Sequence, residues 1–324
     1  MVSKLNMKTK FAIGCLVQWY EVEIIHDYFQ SLREAIDLYN GDVEVNILLS
    51  TNEELEKCES IDLMAHCVKS ISYAAAKYKL KLSMTNDLIT ISDYRRTFND
   101  SYCESVDVLV WGESDMLVPK QMFTALDNLH QSQSSQTPKY LATFGICKMW
   151  DDTWKPLEHV KFTNKPFIEM DTTNWWSLRY TMSIEEMNTF NDAVEDLIVT
   201  NIQPHKFNGC GLVISSEVIK AGVNIPKSIF FVHEDTAFML MTQKVLGNIP
   251  QYHFNNILVV HNRKHIKKRS FIKGEEGIDK TNTGELRKVH PWYSLANKMC
   301  EQNCYNIFNP NYKSLTWKDV YDKN

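Results

Sequence analysis

Between residues 11 and 130 short apolar runs alternate with amphipathic stretches, and this alternation limits what the chain can fold into more than any other feature. The run at 11–17 is apolar and that at 108–111 apolar, β-branched and aromatic, the composition of buried strands; 43–49 reads as a second strand, and 80–84 and 88–91 are further strand candidates. Between the first two, residues 18–39 place Ile24, Ile25, Tyr28, Leu32, Ile36 and Tyr39 on one helical face, and Asn40-Gly41 is a helix stop. The polar triplet Ser50-Thr51-Asn52 opens a helical pattern that continues to Tyr78 with a break near Ser60, and residues 93–103 read as another helix. Strand and helix in alternation predict a doubly wound sheet, and such sheets bind ligands at the carboxyl ends of their strands.

The stretch 107–119 holds the most informative such end. Val108, Leu109, Val110 and Trp111 form a strand that stops at Gly112; Glu113 and Asp115 follow, then Pro119 and an amphipathic helix over 120–130. Hard divalent cations take one or two carboxylates together with substrate phosphates, so the pair suggests Mg²⁺ or Mn²⁺ held against a diphosphate. On spacing alone, an acidic turn that ends a strand is the better explanation.

The second half has a different texture. Residues 131–138 are a polar, low-complexity loop, 140–147 a strand, and 150–179 an irregular, aromatic-rich segment with Trp150, Trp154, Phe162, Phe167, Trp175 and Trp176, of which at least half suit core packing. Residues 183–199 read as a helix capped by Ser183 with Glu185 and Glu186 in its first turn. Gly209-Cys210-Gly211 permits close approach of a ligand or a tight turn before the apolar run 212–214. Residues 230–235 form an extended run ending in His233-Glu234-Asp235, from which a helix over 236–246 departs. A last strand, 257–260, ends at His261, followed by a basic cluster of Arg263, Lys264, Lys267, Lys268, Arg269 and Lys273 and a glycine- and charge-rich loop, 274–284, expected to be mobile. The tail from Pro291 is partly helical and carries Trp292, Tyr293 and Trp317.

Composition excludes several classes. The net charge of −5 gives no global pull towards nucleic acid or anionic membrane, and no apolar run reaches the roughly eighteen residues of a membrane span. The first ten residues lack the apolar core of a signal peptide, so a soluble, cytoplasmic protein is expected. The eight cysteines (15, 58, 67, 103, 147, 210, 300 and 304) are scattered without a Cys-x-x-Cys and read as reduced thiols; Cys300 and Cys304, one helical turn apart, read as structural.

The order of these parts resembles that of the GT-A glycosyltransferases, most closely the glycosyltransferase family 2 group, over about residues 9–265. Glu113-Ser114-Asp115 stands where that family has Asp-x-Asp, with Pro119 a few residues on. Arg95, Arg96 and Asn99 resemble the segment before that motif which lies beside the nucleotide. His233-Glu234-Asp235 resembles the Glu-Asp catalytic-base motif, and His261 the late histidine that completes the metal site in some relatives. The resemblance implies a GT-A, Rossmann-like, mostly parallel central sheet flanked by helices. It implies one domain, 1–265, with a nucleotide-binding half (9–130) and an acceptor half (140–265), and a basic extension, 266–324. It departs from the family pattern in three ways: the first motif residue is Glu, the second strand ends without an Asp, and Gln243 stands where an Arg usually follows the catalytic motif.

What the resemblance implies for chemistry is a metal-dependent, inverting transfer from a nucleotide-sugar, with a UDP-sugar first. Asp115, Glu113 and His261 would hold Mn²⁺ or Mg²⁺ against the diphosphate. Val17, Gln18, Thr51, Arg95, Arg96, Asn99, Ser114 and Gly209 would surround the donor, and Arg263, Lys264, Lys267 and Lys268 would contact phosphates or nucleic acid. Asp235 is the first choice of base and Glu234 the second; simple stabilisation of a helix N-terminus explains the same pair. The basic run, with Lys4, Lys8 and Lys10, leans the acceptor towards a hydroxymethylated base in DNA, as in bacteriophage enzymes of similar fold that glycosylate DNA in the host cytoplasm. A glycan or protein acceptor is the alternative. A nucleotidyltransferase would usually carry a Gly-rich phosphate loop after the first strand, where residues 13–18 hold one glycine. A non-catalytic sugar- or DNA-binding protein also fits if the acidic motif is degenerate.

Overall fold

The run at 11–17 is buried along its whole length, as a strand flanked on both sides and covered on both faces must be. The structure is a computed structural model and describes residues 8–18, 21, 25–50, 69–70, 72–74, 79–87, 89–147, 183–202, 207–261 and 291–323. Its elements in chain order are β1 (Phe11–Gln18), α1 (Ile25–Tyr39), β2 (Val43–Ser50), β3 (Lys79–Thr85), α2 (Ile91–Tyr102), β4 (Val108–Trp111), β5 (Met116–Leu117), α3 (Met122–Gln133) and β6 (Leu141–Cys147). They continue with α4 (Ile184–Asp192), β7 (Val199–Asn201), β8 (Val213–Ser215), α5 (Ser216–Lys220), α6 (Glu234–Leu246), β9 (Gln251–His261), α7 (Pro291–Tyr305) and α8 (Trp317–Tyr321).

β1 pairs in parallel with β2 and β4, and β2 with β3. Because side chains alternate across a strand, β1 feeds two cores. Phe11, Ile13, Cys15 and Val17 pack with Tyr28, Phe29 and Leu32 of α1 and Phe123 and Leu126 of α3. Ala12 and Leu16 pack with Tyr94, Phe98 and Tyr102 of α2 and Phe238 of α6. Each large apolar side chain buried this way contributes roughly 1.5–3 kcal/mol of transfer free energy, so both layers of helices are held to the sheet. This is the mixed, helix-flanked, Rossmann-like sheet of GT-A proteins, with strand order β3-β2-β1-β4-β8-β6-β9-β5 and β7 beside β9.

Two antiparallel joints deliver distant segments to the carboxyl edge of the parallel half. β8 runs against β4 with Val213 opposite Val110, which brings residues 207–212 to the end of β4. β9 runs against β5 with His261 opposite Met116, which sets His261 beside residues 113–115.

Several elements differ from the sequence expectations. Gln18, expected to open the first helix, is the last residue of β1, and the described part of that helix is Ile25–Tyr39. The strand expected at 88–91 does not form among its described residues: Thr90 caps α2, accepting from the Asp93 backbone N–H, and Ile91 is already helical. A Thr three residues before an Asp is a helix-start signal that outweighs a short apolar run. The helix expected over 183–199 ends at Asp192, and Val199 begins β7. The helix placed at 120–130 runs from Met122 to Gln133, so part of the polar loop is helical. The strand placed at 257–260 is the end of the eleven-residue β9. Residues 230–233 form no strand, and α6 starts at Glu234. The aromatic segment 150–179 and the loop 274–284 lie outside the described residues. Of the extension, α7 and α8 pack Met299, Cys300 and Val320 around Phe230, so Cys300 is a core residue as expected. Cys304 is buried with the α2–α6 layer. Among the described residues, no helix is long and apolar enough to cross a membrane.

Candidate active site

Three segments meet where β4 ends: residues 113–115, the loop 208–211, and the 233–235 start of α6. Arg95 of α2 joins them. Its guanidinium is buried against the Trp111 ring, 4.7 Å from the ring centroid. Nη2 donates to Glu113 Oε1 at 2.8 Å and to the Gly209 carbonyl at 3.1 Å, while Nη1 donates to Glu234 Oε1. A buried cation costs several kcal/mol unless paired, and here two carboxylates pair it. Burial works against the Arg95 charge, but Glu234 and Glu113 outweigh it and hold the group protonated. The Arg95 Nε has no hydrogen-bond partner among the described residues.

On the other side of Glu113 lies His261. Its Nε2 is 2.9 Å from Asp115 Oδ1 and 3.2 Å from Glu113 Oε2. Glu113 therefore has one oxygen on Arg95 and the other on His261. The side chains of Asp115 and His261 are 7% and 5% exposed, against 20% for Glu113, so Glu113 forms the solvent-facing wall. Cys210, buried, closes the group: ligand atoms of Glu113, Cys210 and His261 all lie within 4.8 Å of one another. One imidazole nitrogen, one carboxylate oxygen and one sulfur within 4.8 Å of one another are a donor set that fits a divalent cation.

The loop that carries Cys210 is pinned by its backbone. Cys210 N–H donates to Asn208 Oδ1 at 2.8 Å, and Gly211 N–H donates to the Trp111 carbonyl at 2.9 Å. Gly211 has φ +70°, which suits glycine. At Gly209 a Cβ would lie 2.1 Å from Arg95 Nη1, so only glycine lets the guanidinium lie against this backbone.

The two carboxylates at the start of α6 have different surroundings. Glu234 is buried on Arg95, and burial pushes its carboxyl up to about 7 against the opposing pull of Arg95. Asp235 is half-buried and fixed by two backbone donors, Gly209 N–H at 3.1 Å and Thr236 N–H at 2.6 Å. His233, just before them, adopts a left-handed backbone with φ 68°. A non-glycine residue held in that region costs of order 1–3 kcal/mol and commonly marks a functional turn.

Of the residues singled out from sequence, the structure brings together Glu113, Ser114, Asp115, His261, Arg95, Gly209, Glu234 and Asp235. Val17 and Gln18 lie at the carboxyl end of β1, Val17 buried and Gln18 donating from Nε2 to the Ile89 carbonyl. Arg96 and Asn99 face elsewhere. Arg96 binds Asp93 and the carbonyls of Ile225, Pro226 and Ile229. Asn99 accepts from Trp111 Nε1 and donates to Asn224 Oδ1. Both tie α2 to the 224–229 segment because their donors are taken by protein groups. Thr51, Arg263, Lys264, Lys267 and Lys268 lie outside the described residues. Cys210 was not singled out from the sequence; the only pointer was its place between two glycines.

No family model matches the chain, and no curated protein does either. Solved structures do. S. aureus TarS, residues 1–349, in complex with UDP-GlcNAc superposes with a TM-score of 0.50 at 11% identity, over 94% of this chain and 68% of that one. Glucosyl-3-phosphoglycerate synthase from Mycobacterium tuberculosis, in complex with Mn²⁺, UDP and phosphoglyceric acid, gives 0.44 at 11% identity, over 81% of this chain and 74% of that one. At this identity the likeness to TarS is one of fold.

Proposed function

We propose that the chain is a metal-dependent glycosyltransferase that moves a sugar from a nucleoside-diphosphate sugar to an acceptor hydroxyl with inversion. The observation that carries this reading is the convergence of Glu113, Asp115 and His261 at the carboxyl edge of the sheet's parallel half, with Asp235 linked to Glu113 through Gly209 and Arg95. The fold shared with a protein that binds UDP-GlcNAc supports it.

Asp115, Glu113 and His261 would hold the cation. When bound, it would supply Lewis-acid stabilisation of the departing nucleoside diphosphate. The chain's own residues do the rest. Arg95 fixes Glu113 in the orientation that presents Oε2 to His261. Asp235, oriented by Gly209 and Thr236 and reachable from solvent, accepts the proton of the acceptor hydroxyl as that oxygen attacks the sugar carbon. Glu234 serves this arrangement by holding Arg95, and its buried oxygen is not open to a substrate. The acceptor class is a DNA base hydroxyl on the strength of the basic run 263–273, with a glycan or protein hydroxyl as the alternative.

The test is thermal stability with a panel of nucleoside diphosphates and nucleotide-sugars, with Mn²⁺ and with chelator. A ligand at a hundredfold excess over its Kd stabilises the folded state by about 2.7 kcal/mol, so one nucleotide should raise the Tm in a metal-dependent way. That nucleotide's sugars are then offered with hydroxymethylated DNA and with glycans. A Tm that no nucleotide moves, with or without metal, sinks the donor-site reading.

A further inference from the structure

We infer that Cys210 Sγ is a ligand of the divalent centre, and that the centre is built for a borderline transition ion of the Zn²⁺ or Co²⁺ kind rather than for Mg²⁺. The inference rests on the metal-dependent reading above and narrows it. The Cys210 sulfur lies within 4.8 Å of both the Glu113 carboxylate and the His261 imidazole, a separation that a single ion between them spans. Soft and imidazole donors select Zn²⁺, Co²⁺ and similar ions, whereas Mg²⁺ demands oxygen ligands in near-ideal octahedral geometry.

The surrounding structure holds the thiol in place for this role. Asn208 Oδ1 fixes the Cys210 backbone, and Gly211 is bonded to the Trp111 carbonyl two residues before Glu113. Cys210 and Glu113 are thus carried on two backbones tied to each other. Arg95 holds Glu113 Oε1, which leaves Oε2 facing His261. Binding is an exchange that balances: the ion replaces the thiol proton of Cys210, which passes to the buffer, and the neutral imidazole binds through a ring nitrogen.

The test is Co²⁺ titration of the full-length reduced protein, followed in the visible and near-ultraviolet. The wild type should show ligand-field bands together with a thiolate-to-cobalt charge-transfer band. In Cys210→Ser the charge-transfer band should vanish while ligand-field bands persist at weaker affinity, and His261→Gln should lose both. Cys210→Ala, with circular dichroism on every variant, guards against a change of fold. Ligand-field bands lost in His261→Gln, with no charge-transfer band in the wild type, would overturn the thiolate ligand and leave the metal reading standing. A charge-transfer band that survives in Cys210→Ser comes from another of the eight cysteines and also overturns it. No cobalt binding at all would overturn both.

Discussion

Asp235 and Glu234 are neighbours in sequence with opposite surroundings, and the surroundings assign their work. Asp235 is half-buried and accepts two backbone N–H bonds that fix its carboxylate; a base needs to be held in place and reachable. Asp235→Asn keeps an oxygen for Gly209 and Thr236 but cannot take a proton. Transfer should fall by about 10²–10⁴-fold while the Kd for the donor nucleotide, read by calorimetry, stays nearly constant; full transfer in the variant would remove Asp235 from the role. Glu234 makes a different prediction. Its folded carboxyl is raised from 4.5 to about 7 by burial, with Asp235 and Glu113 adding and Arg95 opposing. The folded state therefore binds this proton more tightly than the unfolded state. The stability this proton contributes is complete below about 4.5 and is lost as pH rises through about 7. Glu234→Gln, which still accepts from Arg95, removes that titration. The urea midpoint of the wild type should decline relative to the variant across this window, and parallel curves would contradict the shift. The sequence showed that two carboxylates stand here but not which is buried, because burial depends on Arg95 arriving from a helix far away in the chain.

At the scale of elements, α2 and the loop 208–211 account for most of what the sequence hid. The strands were legible because 11–17 and 108–111 are continuous apolar runs of inner strands and 43–49 alternates apolar with polar residues, and all three appear as strands. The short run near residue 90 misled because its capping residue carries the information: Thr90 accepts from the Asp93 N–H and starts a helix. Arg95, placed beside a nucleotide by motif order, is instead the buried pin between Glu113 and Glu234. Only the depth at which α2 packs decides that. Gly209 is where this packing can be tested. A methyl group there would come 2.1 Å from Nη1 and 2.9 Å from Cζ of Arg95. The guanidinium cannot retreat, being held by carboxylates on two sides and by Trp111. Gly209→Ala should cost about 1–3 kcal/mol of unfolding free energy, the usual penalty of overpacking, and should weaken cation binding through Glu113. A variant of wild-type stability would mean that the loop relaxes without Arg95.

For the molecule as a whole, the question is how the chain's last described helices bear on the candidate site. The basic composition after residue 262 suggested an extension apart from the fold, and composition alone carries no record of what α7 and α8 cover. Trp317 of α8 packs edge-on against Phe230 and Phe231, with ring centroids 5.0 and 5.5 Å away, and Trp292 of α7 packs on Phe231. Asn303 Nδ2 of α7 donates to the Ser228 carbonyl at 2.7 Å. The segment gripped this way, 228–232, leads directly into the left-handed His233 and the Glu234-Asp235 pair, and it forms no regular structure of its own. Ser92 at the start of α2 adds a bond to the Phe231 carbonyl, and the aromatic contacts just described come from the C-terminal helices. An irregular segment holding a strained residue keeps its geometry only if its surroundings over-determine it. Trp317→Ala should therefore act at two levels. Loss of a large, partly buried ring should lower stability by about 2–3 kcal/mol, at the low end for aromatic truncation. Freed from that contact, residues 230–233 should let Asp235 wander, so kcat falls while donor binding at Glu113, Asp115 and His261 holds. Hydrogen exchange would show the loosening as faster exchange at 230–237 with little change in β1 and β4. If stability falls but kcat does not, the C-terminal helices support the fold without tuning the base.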